Sequence, residues 1–177
     1  MNVGYTAPDF ELDDTDGDAH SLMEGGGWPA TVVVFTCNHC PYALAWHDRL
    51  LGAARDYGDQ GVRFLFVNPN DAERFPADSF EAMQERVRED GGWPAPYLHD
   101  ATQEVARAYD AKTTPDVFVV DGEGRLRYRG APDSDHGDPA QNAAWLRQAL
   151  DAVIAGEEPS TPETEPVGCS VKWKSGG

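Results

Sequence analysis

Lysine and cysteine are both scarce in this chain. Of its 177 residues, three are lysines, against eleven arginines, and three are cysteines. Three cysteines are too few for a disulfide framework, and their odd number leaves at least one thiol unpaired. No apolar run approaches the roughly 18 residues that a membrane-spanning helix needs. The composition therefore excludes a disulfide-stabilised scaffold and predicts no membrane association.

The charge is strongly one-sided. There are 31 acidic residues against 14 basic ones, and the net charge is −17. Nucleic-acid binding requires cationic patches, so this charge argues against it. The acidic residues, together with the few lysines, predict adaptation to high salt, where screening removes the repulsion between them. Residues 1–5 show no basic stretch followed by an apolar run, so we expect no secretory signal and a cytoplasmic protein.

The most informative motif is Cys37-Asn38-His39-Cys40-Pro41, which follows a β-type apolar run and precedes a helical pattern. Two cysteines at this spacing can form a redox pair, in which one thiolate attacks a disulfide and the other resolves the product. A helix N-terminus favours negative charge, so the motif's position lowers the pKa of a thiol there.

Apolar patterns divide the chain into strands and helices. An alternating segment at residues 7–12 and a turn at Asp16-Gly17 predict an N-terminal β-hairpin that closes near Leu22. β-branched and aromatic runs predict strands at residues 31–35, 62–67, 97–98, 116–120 and 125–129. A helix follows the first buried strand, and its apolar stripe runs from Ala43 to Tyr57.

Three further helices are predicted from their N-terminal signals. These are Asp78 with Glu81, Asp100 with Gln103, and Asp138-Pro139 with Gln141. From Gly156 onward the chain is rich in proline and glutamate. We therefore divide it into a domain at residues 1–156 and a tail at residues 157–177, which we expect to dock on the domain. The order of elements predicts an α/β fold.

The chain resembles the thioredoxin-like superfamily, in its alkyl hydroperoxide reductase/thiol-specific antioxidant (redoxin-type) branch. Three features carry the resemblance across roughly residues 5–155: Ala7-Pro8-Asp9-Phe10 with the turn after it, the CxxC motif between strand and helix, and Thr113-Thr114-Pro115-Asp116 before a strand. The resemblance implies a thioredoxin-like fold, with a central mixed β-sheet flanked by helices on both faces and an N-terminal β-hairpin extension. It also implies a cis Pro115 that faces the cysteines.

The resemblance further implies a thiol–disulfide oxidoreductase with an antioxidant role. Cys37 would be the exposed nucleophile, and Cys40, one turn into the helix, would be the resolving thiol. The expected supporting residues are Thr36, Asn38, His39, Pro41, Thr114 and Pro115. No cofactor or metal is required, and the expected partners are a protein or small-molecule disulfide and a thiol reductant system.

The chain departs from thioredoxin at two positions. Thr36 stands where thioredoxin-like reductases usually have tryptophan. The strand at residues 31–35 lacks the buried acidic residue that accepts a proton in thioredoxin, and Glu73 or Asp100 could supply one from elsewhere.

Two alternative functions remain open. A thiol peroxidase would need threonine three residues before its peroxidatic cysteine, and neither Cys37 nor Cys40 meets this requirement. Metal binding or delivery, of copper or zinc, would use the two cysteines and a histidine, with His39, His47 and His136 as candidates.

The third cysteine, Cys169, lies in the tail segment Gly168-Cys169-Ser170-Val171-Lys172-Trp173. One hypothesis makes it a third redox cysteine that reaches the active site. The other makes it an ordinary thiol in a packed tail.

Overall fold

A five-stranded mixed β-sheet is the centre of the molecule. The computed structural model describes residues 1–175. Its strands are β1 (Glu11–Asp13), β2 (Ala19–Ser21), β3 (Ala30–Phe35), β4 (Arg63–Asn68), β5 (Tyr97–His99), β6 (Thr113–Thr114), β7 (Asp116–Asp121), β8 (Leu126–Gly130) and β9 (Cys169–Ser170). The sheet has the order β5-β4-β3-β7-β8. β3 pairs in parallel with β4 and antiparallel with β7, so it lies in the middle.

Helices cover both faces of this sheet. They are α1 (Pro41–Gly58), α2 (Phe80–Glu89), α3 (Glu104–Ala108) and α4 (Ala144–Ile154). Every residue of β3 is buried, and its side chains alternate between two apolar clusters. One cluster includes α1 and α4, and the other includes residues of α3 and the N-terminal segment. A strand buried on both faces explains the unbroken apolar run in the sequence.

The predicted mixed α/β architecture is confirmed. The three long buried strands and the short strand β5 form where the sequence places them. The N-terminal hairpin also forms, but its first strand, β1, begins only at Glu11 rather than at residue 7. Over residues 1–175, none of the helices has the length and hydropathy needed to cross a bilayer.

The last helix begins later than predicted. α4 starts at Ala144, and Ala143 precedes it in the left-handed conformation with φ 55°. The Asp133 carboxylate accepts the Ala143 N–H at 2.9 Å. The predicted N-cap at Asp138 is therefore wrong. The helix starts at Ala144 without a side-chain cap, and the Leu146 N–H in its first turn donates to the Pro132 carbonyl of the preceding loop.

After α4 the chain returns across the domain. It first runs beside β8, where the Arg129 N–H donates to Pro162 and the Thr164 N–H donates to Arg129. It then forms β9, which pairs antiparallel with the short strand β6. This pairing brings Cys169 back to the region of the CxxC motif.

Candidate active site

Both cysteines of the CxxC motif lie in the loop between β3 and α1. β3 ends at Phe35 and α1 begins at Pro41, so Cys40 is the N-cap residue of the helix. The side chains of Cys37 and Cys40 are completely buried. The expectation that Cys37 is exposed and that Cys40 lies one turn into the helix is therefore wrong. Pro41 explains the start of the helix, because proline lacks an N–H and its φ suits the first helical position.

Thr114, the residue before the cis proline, contacts both sulfur atoms. The Thr114–Pro115 peptide bond is cis, as the resemblance implies. Thr114 Oγ1 lies 3.3 Å from Cys37 Sγ, and the Thr114 carbonyl accepts a hydrogen bond from Cys40 Sγ at 3.3 Å. The Cys40 N–H donates to Cys37 Sγ, also at 3.3 Å. Both thiols are free, so these contacts describe the reduced pair.

The two thiols titrate together. The hydrogen bond between them lowers the pKa of Cys40 to about 4 and raises the pKa of Cys37. The two thiols are therefore coupled, so that ionisation of one sulfur disfavours ionisation of the other. The Cys40 N–H and the Thr114 hydroxyl both reach the Cys37 sulfur, where they stabilise the charge when it lies there.

A buried carboxylate, which sequence reasoning assigned to a helix cap, lies beside the pair. Asp78 ends a 3₁₀ turn at Pro76–Asp78 and has no exposed surface. The next residue, Ser79, caps α2 by accepting the Ala82 N–H at 3.1 Å. The predicted capping box of Asp78 with Glu81 is therefore wrong. Because Ser79 satisfies the helix, the Asp78 side chain turns inward.

Amide groups hold the Asp78 carboxylate in place. Its Oδ1 accepts the Asn38 N–H at 2.6 Å and the Asn68 side-chain amide at 3.1 Å. Its Oδ2 accepts the Asn70 side-chain amide at 3.0 Å. These hydrogen bonds replace the hydration that the carboxylate loses on burial.

His39 lies between this carboxylate and the solvent. Its Nδ1 is 2.5 Å from Asp78 Oδ2, a close electrostatic contact that lacks the alignment of a hydrogen bond, and its ring stacks on Phe75 with centroids 5.4 Å apart. The sulfur of Cys37, a ring nitrogen of His39 and a carboxylate oxygen of Asp78 all lie within 4.8 Å of one another. This Cys–His–Asp group can hold a thiolate and move a proton.

The Asn38 side chain links the motif to two neighbouring elements. Its Oδ1 accepts the Tyr97 hydroxyl at 2.7 Å and Arg86 Nη1 at 2.9 Å. Arg86 Nη1 also donates to the Cys37 carbonyl at 2.8 Å. Of the other predicted supporting residues, Thr36 is buried and continues the sheet through its N–H to Val67.

Sequence reasoning missed Asp78 and Arg86 and proposed other acids. Glu73 is exposed. The buried carboxylate of Asp100 accepts the Val105 and Ala106 N–H groups at the start of α3. The local sequence gave no sign that Asp78 would lie beside Cys37. An aspartate two residues before a helix is just as typical of a helix cap as of a buried acid.

Cys169 completes a group of three thiols. It lies directly opposite Thr114 in the β6–β9 pair and packs against Cys37, Cys40 and Ala43. Burial and the hydrogen bond to Cys40 raise the pKa of Cys169 to about 11. It is partly exposed, whereas the other two cysteines are buried.

The geometry does not favour a metal site of cysteines and histidines. Among residues 1–175, the ligand atoms that gather are those of Cys37, His39 and Asp78, and this carboxylate already accepts three amide donors. His47 instead contacts Asp90 at 3.0 Å, and the His136 ring packs on Tyr42 at 4.2 Å. Neither belongs to the group at Cys37.

A second buried acid directly follows the cis proline. Asp116 Oδ2 accepts the Lys112 N–H at 2.9 Å, while Oδ1 has no hydrogen-bond partner among the described residues. Burial raises the pKa of Asp116 to about 7, against the opposing effect of the Arg129 charge. The folded protein therefore binds a proton at Asp116 over a pH range in which the unfolded chain does not.

We expect Asp116 to make the protein less stable as pH rises from about 4 to about 7. The folded-state pKa lies above the unfolded one, so the native state binds more protons within this window. The free energy of unfolding should fall by at most about 4 kcal/mol between these two pH values. Urea unfolding of wild type and Asp116→Asn at pH 4.5 and pH 8 measures it. The difference in free energy of unfolding between the variant and wild type should shift in the variant's favour from pH 4.5 to pH 8. The same difference at both pH values would contradict the raised pKa of Asp116.

Sequence comparison identifies relatives of the chain. The sequence model of the AhpC/TSA family matches residues 3–129, which include the CxxC motif and Pro115. The thiol-disulfide oxidoreductase ResA of Geobacillus thermodenitrificans is 30% identical over 127 residues, which cover 71% of this chain and 67% of that protein.

Structural comparison gives full-length likeness as well. An uncharacterized conserved protein from Geobacillus kaustophilus superposes with a TM-score of 0.93 at 40% identity, covering 99% of this chain and 94% of that one. That match extends into the C-terminal tail. The exposed lipoprotein thioredoxin of Streptococcus pneumoniae superposes with a TM-score of 0.65 at 21% identity, covering 81% of this chain and 98% of that one. This second likeness is one of fold, and it confirms the thioredoxin-like architecture.

Proposed function

Because the chain belongs to the AhpC/TSA family, we propose that it is a thiol–disulfide oxidoreductase with Cys37 and Cys40 as its redox pair. The observation that carries the proposal is the contact of both sulfur atoms with Thr114, directly before the cis Pro115. The likeness to a thiol-disulfide oxidoreductase supports the same class of chemistry. The partners would be a protein or small-molecule disulfide and a thiol reductant.

The first step is attack by the Cys37 thiolate on one sulfur of the substrate disulfide. The substrate S–S bond breaks, a mixed disulfide with Cys37 forms, and the other substrate sulfur leaves as a thiolate. Cys37 suits this role because two donors, the Cys40 N–H and the Thr114 hydroxyl, already reach its sulfur. Both stabilise the negative charge until the attack occurs.

The second step is attack by Cys40 on the Cys37 sulfur. The Cys37–Cys40 disulfide forms, the bond to the substrate breaks, and the second substrate sulfur leaves as a thiolate. The substrate has then gained two electrons, which the pair has lost. A thiol reductant returns them by exchange with the Cys37–Cys40 disulfide, so no bound cofactor takes part.

His39 and Asp78 would handle the proton in this sequence. A ring nitrogen of His39 lies within 4.8 Å of the Cys37 sulfur, so it would take the proton before the attack, or donate one to the departing sulfur, through one bridging water. The Asp78 carboxylate, 2.5 Å from Nδ1, would act electrostatically as a positioning residue for the imidazole.

The test is mass spectrometry of alkylated protein, equilibrated at high salt in thiol buffers of graded redox poise. We expect one reversible two-electron transition, with Cys37 and Cys40 protected from alkylation together. The Cys40→Ser protein is the control, since it cannot close this disulfide. Thiols that stay protected at every poise until a chelator is added would contradict the proposal and indicate metal binding.

One observation favours a second candidate function, thiol peroxidase. The hydroxyl that the motif itself lacks at the required spacing is present at Cys37 through Thr114. A thiolate beside a hydroxyl can be oxidised by peroxide to a sulfenic acid, which Cys40 would resolve. Stopped-flow mixing with hydrogen peroxide measures this rate, and we expect it to be slow relative to disulfide exchange.

A further inference from the structure

The backbone before the cis proline is already paired with the protein's own tail. β6 and β9 are antiparallel, with Thr113 opposite Ser170 and Thr114 opposite Cys169. A cis proline offers no N–H of its own, so the backbone before it is available to pair with a bound peptide. Here β9 takes the place of that peptide, and a cysteine lies at the position nearest the redox pair.

The close approach of the tail depends on glycine. A Cβ on Gly168 would lie 2.3 Å from the Thr114 carbonyl oxygen and 2.8 Å from its carbonyl carbon. Such contacts are too short for any side chain, so a substitution at Gly168 must move the tail away from β6. This position therefore offers a way to displace Cys169 without removing any thiol.

Contacts beyond Cys169 anchor the tail to the domain. The Lys172 N–H donates to Asn70 Oδ1 at 2.9 Å, and its carbonyl accepts the Asp71 N–H and the Gln103 side-chain amide, each at 2.9 Å. Val171 is buried. The Trp173 ring lies beneath the Arg107 guanidinium at 4.6 Å. These contacts fix the tail to the domain beside the redox pair.

The three thiols differ in their access to solvent. Cys37 and Cys40 are completely buried, while Cys169 is partly exposed and packs against the cluster that the other two cysteines form with Ala43. A reductant that approaches this surface meets Cys169 first. Cys169 therefore lies beside the buried redox pair and is also accessible from the solvent.

We propose that Cys169 is a third redox thiol, which exchanges with the Cys37–Cys40 disulfide and carries it toward the surface as a Cys40–Cys169 disulfide. This inference rests on the proposed function, because that reaction supplies the Cys37–Cys40 disulfide. The Cys169 thiolate attacks the Cys40 sulfur, the Cys40–Cys169 bond forms and the Cys37–Cys40 bond breaks. Cys37 leaves as a thiolate and takes up the proton that Cys169 released, so the step involves no net oxidation.

A dithiol reductant completes the cycle at the exposed sulfur. Its thiolate attacks Cys169, and Cys40 leaves as a thiolate. Its second thiol then closes the reductant's own disulfide and releases Cys169. The reductant has lost two electrons, Cys40 and Cys169 have regained them, and Cys37 is free throughout for another substrate.

The decisive experiment uses the Cys37→Ser protein, which retains only Cys40 and Cys169. After brief oxidation with diamide and alkylation, peptide mapping should find an intramolecular Cys40–Cys169 disulfide whose yield does not depend on protein concentration. The control is the Cys37→Ser, Gly168→Ala protein, in which the same disulfide should form at least about tenfold more slowly, since the two sulfurs lose their fixed proximity. Circular dichroism establishes that both proteins are folded.

Wild-type protein supplies an independent measurement, in case the serine variant fails to fold. Oxidised wild type and oxidised Cys169→Ser are mixed with dithiothreitol, and the return of free thiols is followed. Loss of the exposed entry thiol should slow reduction about tenfold. Equal rates would overturn the proposed route.

The outcomes separate this inference from the function on which it rests. A reversible Cys37–Cys40 transition in wild type, with Cys169 fully alkylated in oxidised Cys37→Ser, would overturn the role of Cys169 and leave the oxidoreductase intact. Absence of both disulfides would overturn both proposals. A disulfide between Cys37 and Cys169 in Cys40→Ser, with none between Cys40 and Cys169 in Cys37→Ser, would overturn the assignment to Cys40.

Discussion

Replacing Cys37 with serine is expected to lower disulfide reduction by at least about a thousandfold, because a hydroxyl cannot replace the attacking thiolate at neutral pH. Serine is nearly the same size, so the loss should lie in the chemical step and leave the fold unchanged. The measurement is reduction of a small-molecule disulfide with dithiothreitol as the source of electrons, at high salt. Cys169→Ser is the matched control. It removes a thiol of the same cluster but leaves the pair intact, so its loss should not exceed the roughly tenfold slowing expected from slower reduction by dithiothreitol.

The partner variant Cys40→Ser should behave differently. It retains the nucleophile, so it should complete one attack and then stop as a mixed disulfide on Cys37. Peptide mapping after exposure to a disulfide substrate locates this adduct. If the adduct instead forms on Cys40 in the Cys37→Ser protein, and none forms on Cys37, the roles of the two thiols are reversed. That result would mean that the charge stays on the sulfur at the helix N-cap during the attack.

Replacing Asp78 with asparagine is expected to have the second largest effect. The carboxylate accepts three amide donors and contacts His39, all in a fully buried position. An asparagine amide would face at least one of those donors with its own N–H groups. The cost to the free energy of unfolding should be about 2–4 kcal/mol, since a buried donor loses its partner and a charged acceptor is lost. Urea unfolding measures it.

The same substitution should slow disulfide exchange about a hundredfold, because His39 loses the group that orients it for proton transfer. It should also move the pH profile of Cys37 alkylation to lower pH. The Asp78 charge is one of the causes that raise the pKa of Cys37, so its removal favours the thiolate. A purely structural role for Asp78 would leave that profile unchanged.

Asp100→Asn is the matched control for this prediction. Asp100 is also a fully buried carboxylate that accepts N–H groups, but its donors belong to α3. Its loss should cost stability by a similar mechanism while sparing the exchange rate of the folded protein. Equal losses of exchange in Asp78→Asn and Asp100→Asn would show that the effect comes from general destabilisation.

Local sequence patterns were sufficient for the sheet and for the motif. The run at residues 31–35 is apolar at every position, so it had to become a strand buried on both faces, and it is the central strand β3. The stripe from Ala43 to Tyr57 likewise became α1, with those residues buried. These predictions succeeded because periodicity and β-branching act within a few residues of one another.

Helix starts were less predictable, because the side chain that caps a helix can come from outside the local pattern. Asp138 has every feature of an N-cap, yet α4 begins at Ala144, where the Pro132 carbonyl of the preceding loop accepts the Leu146 N–H. Asp78 was misassigned in the opposite direction. Its neighbour Ser79 takes the cap, and the aspartate becomes the buried acid of the candidate active site.

By itself, the sequence determined the α/β architecture and the position of the two cysteines after a buried strand, and its family resemblance gave the cis Pro115. Only the tertiary structure decided that Asp78 and His39 stand beside Cys37, and that Cys169 lies opposite Thr114 although 55 positions separate them in the chain. The physical reason is the distance along the chain over which each kind of interaction acts. Propensity and hydrophobic periodicity act over one or two turns, whereas an active site is assembled by pairing and burial between segments that the local pattern does not connect.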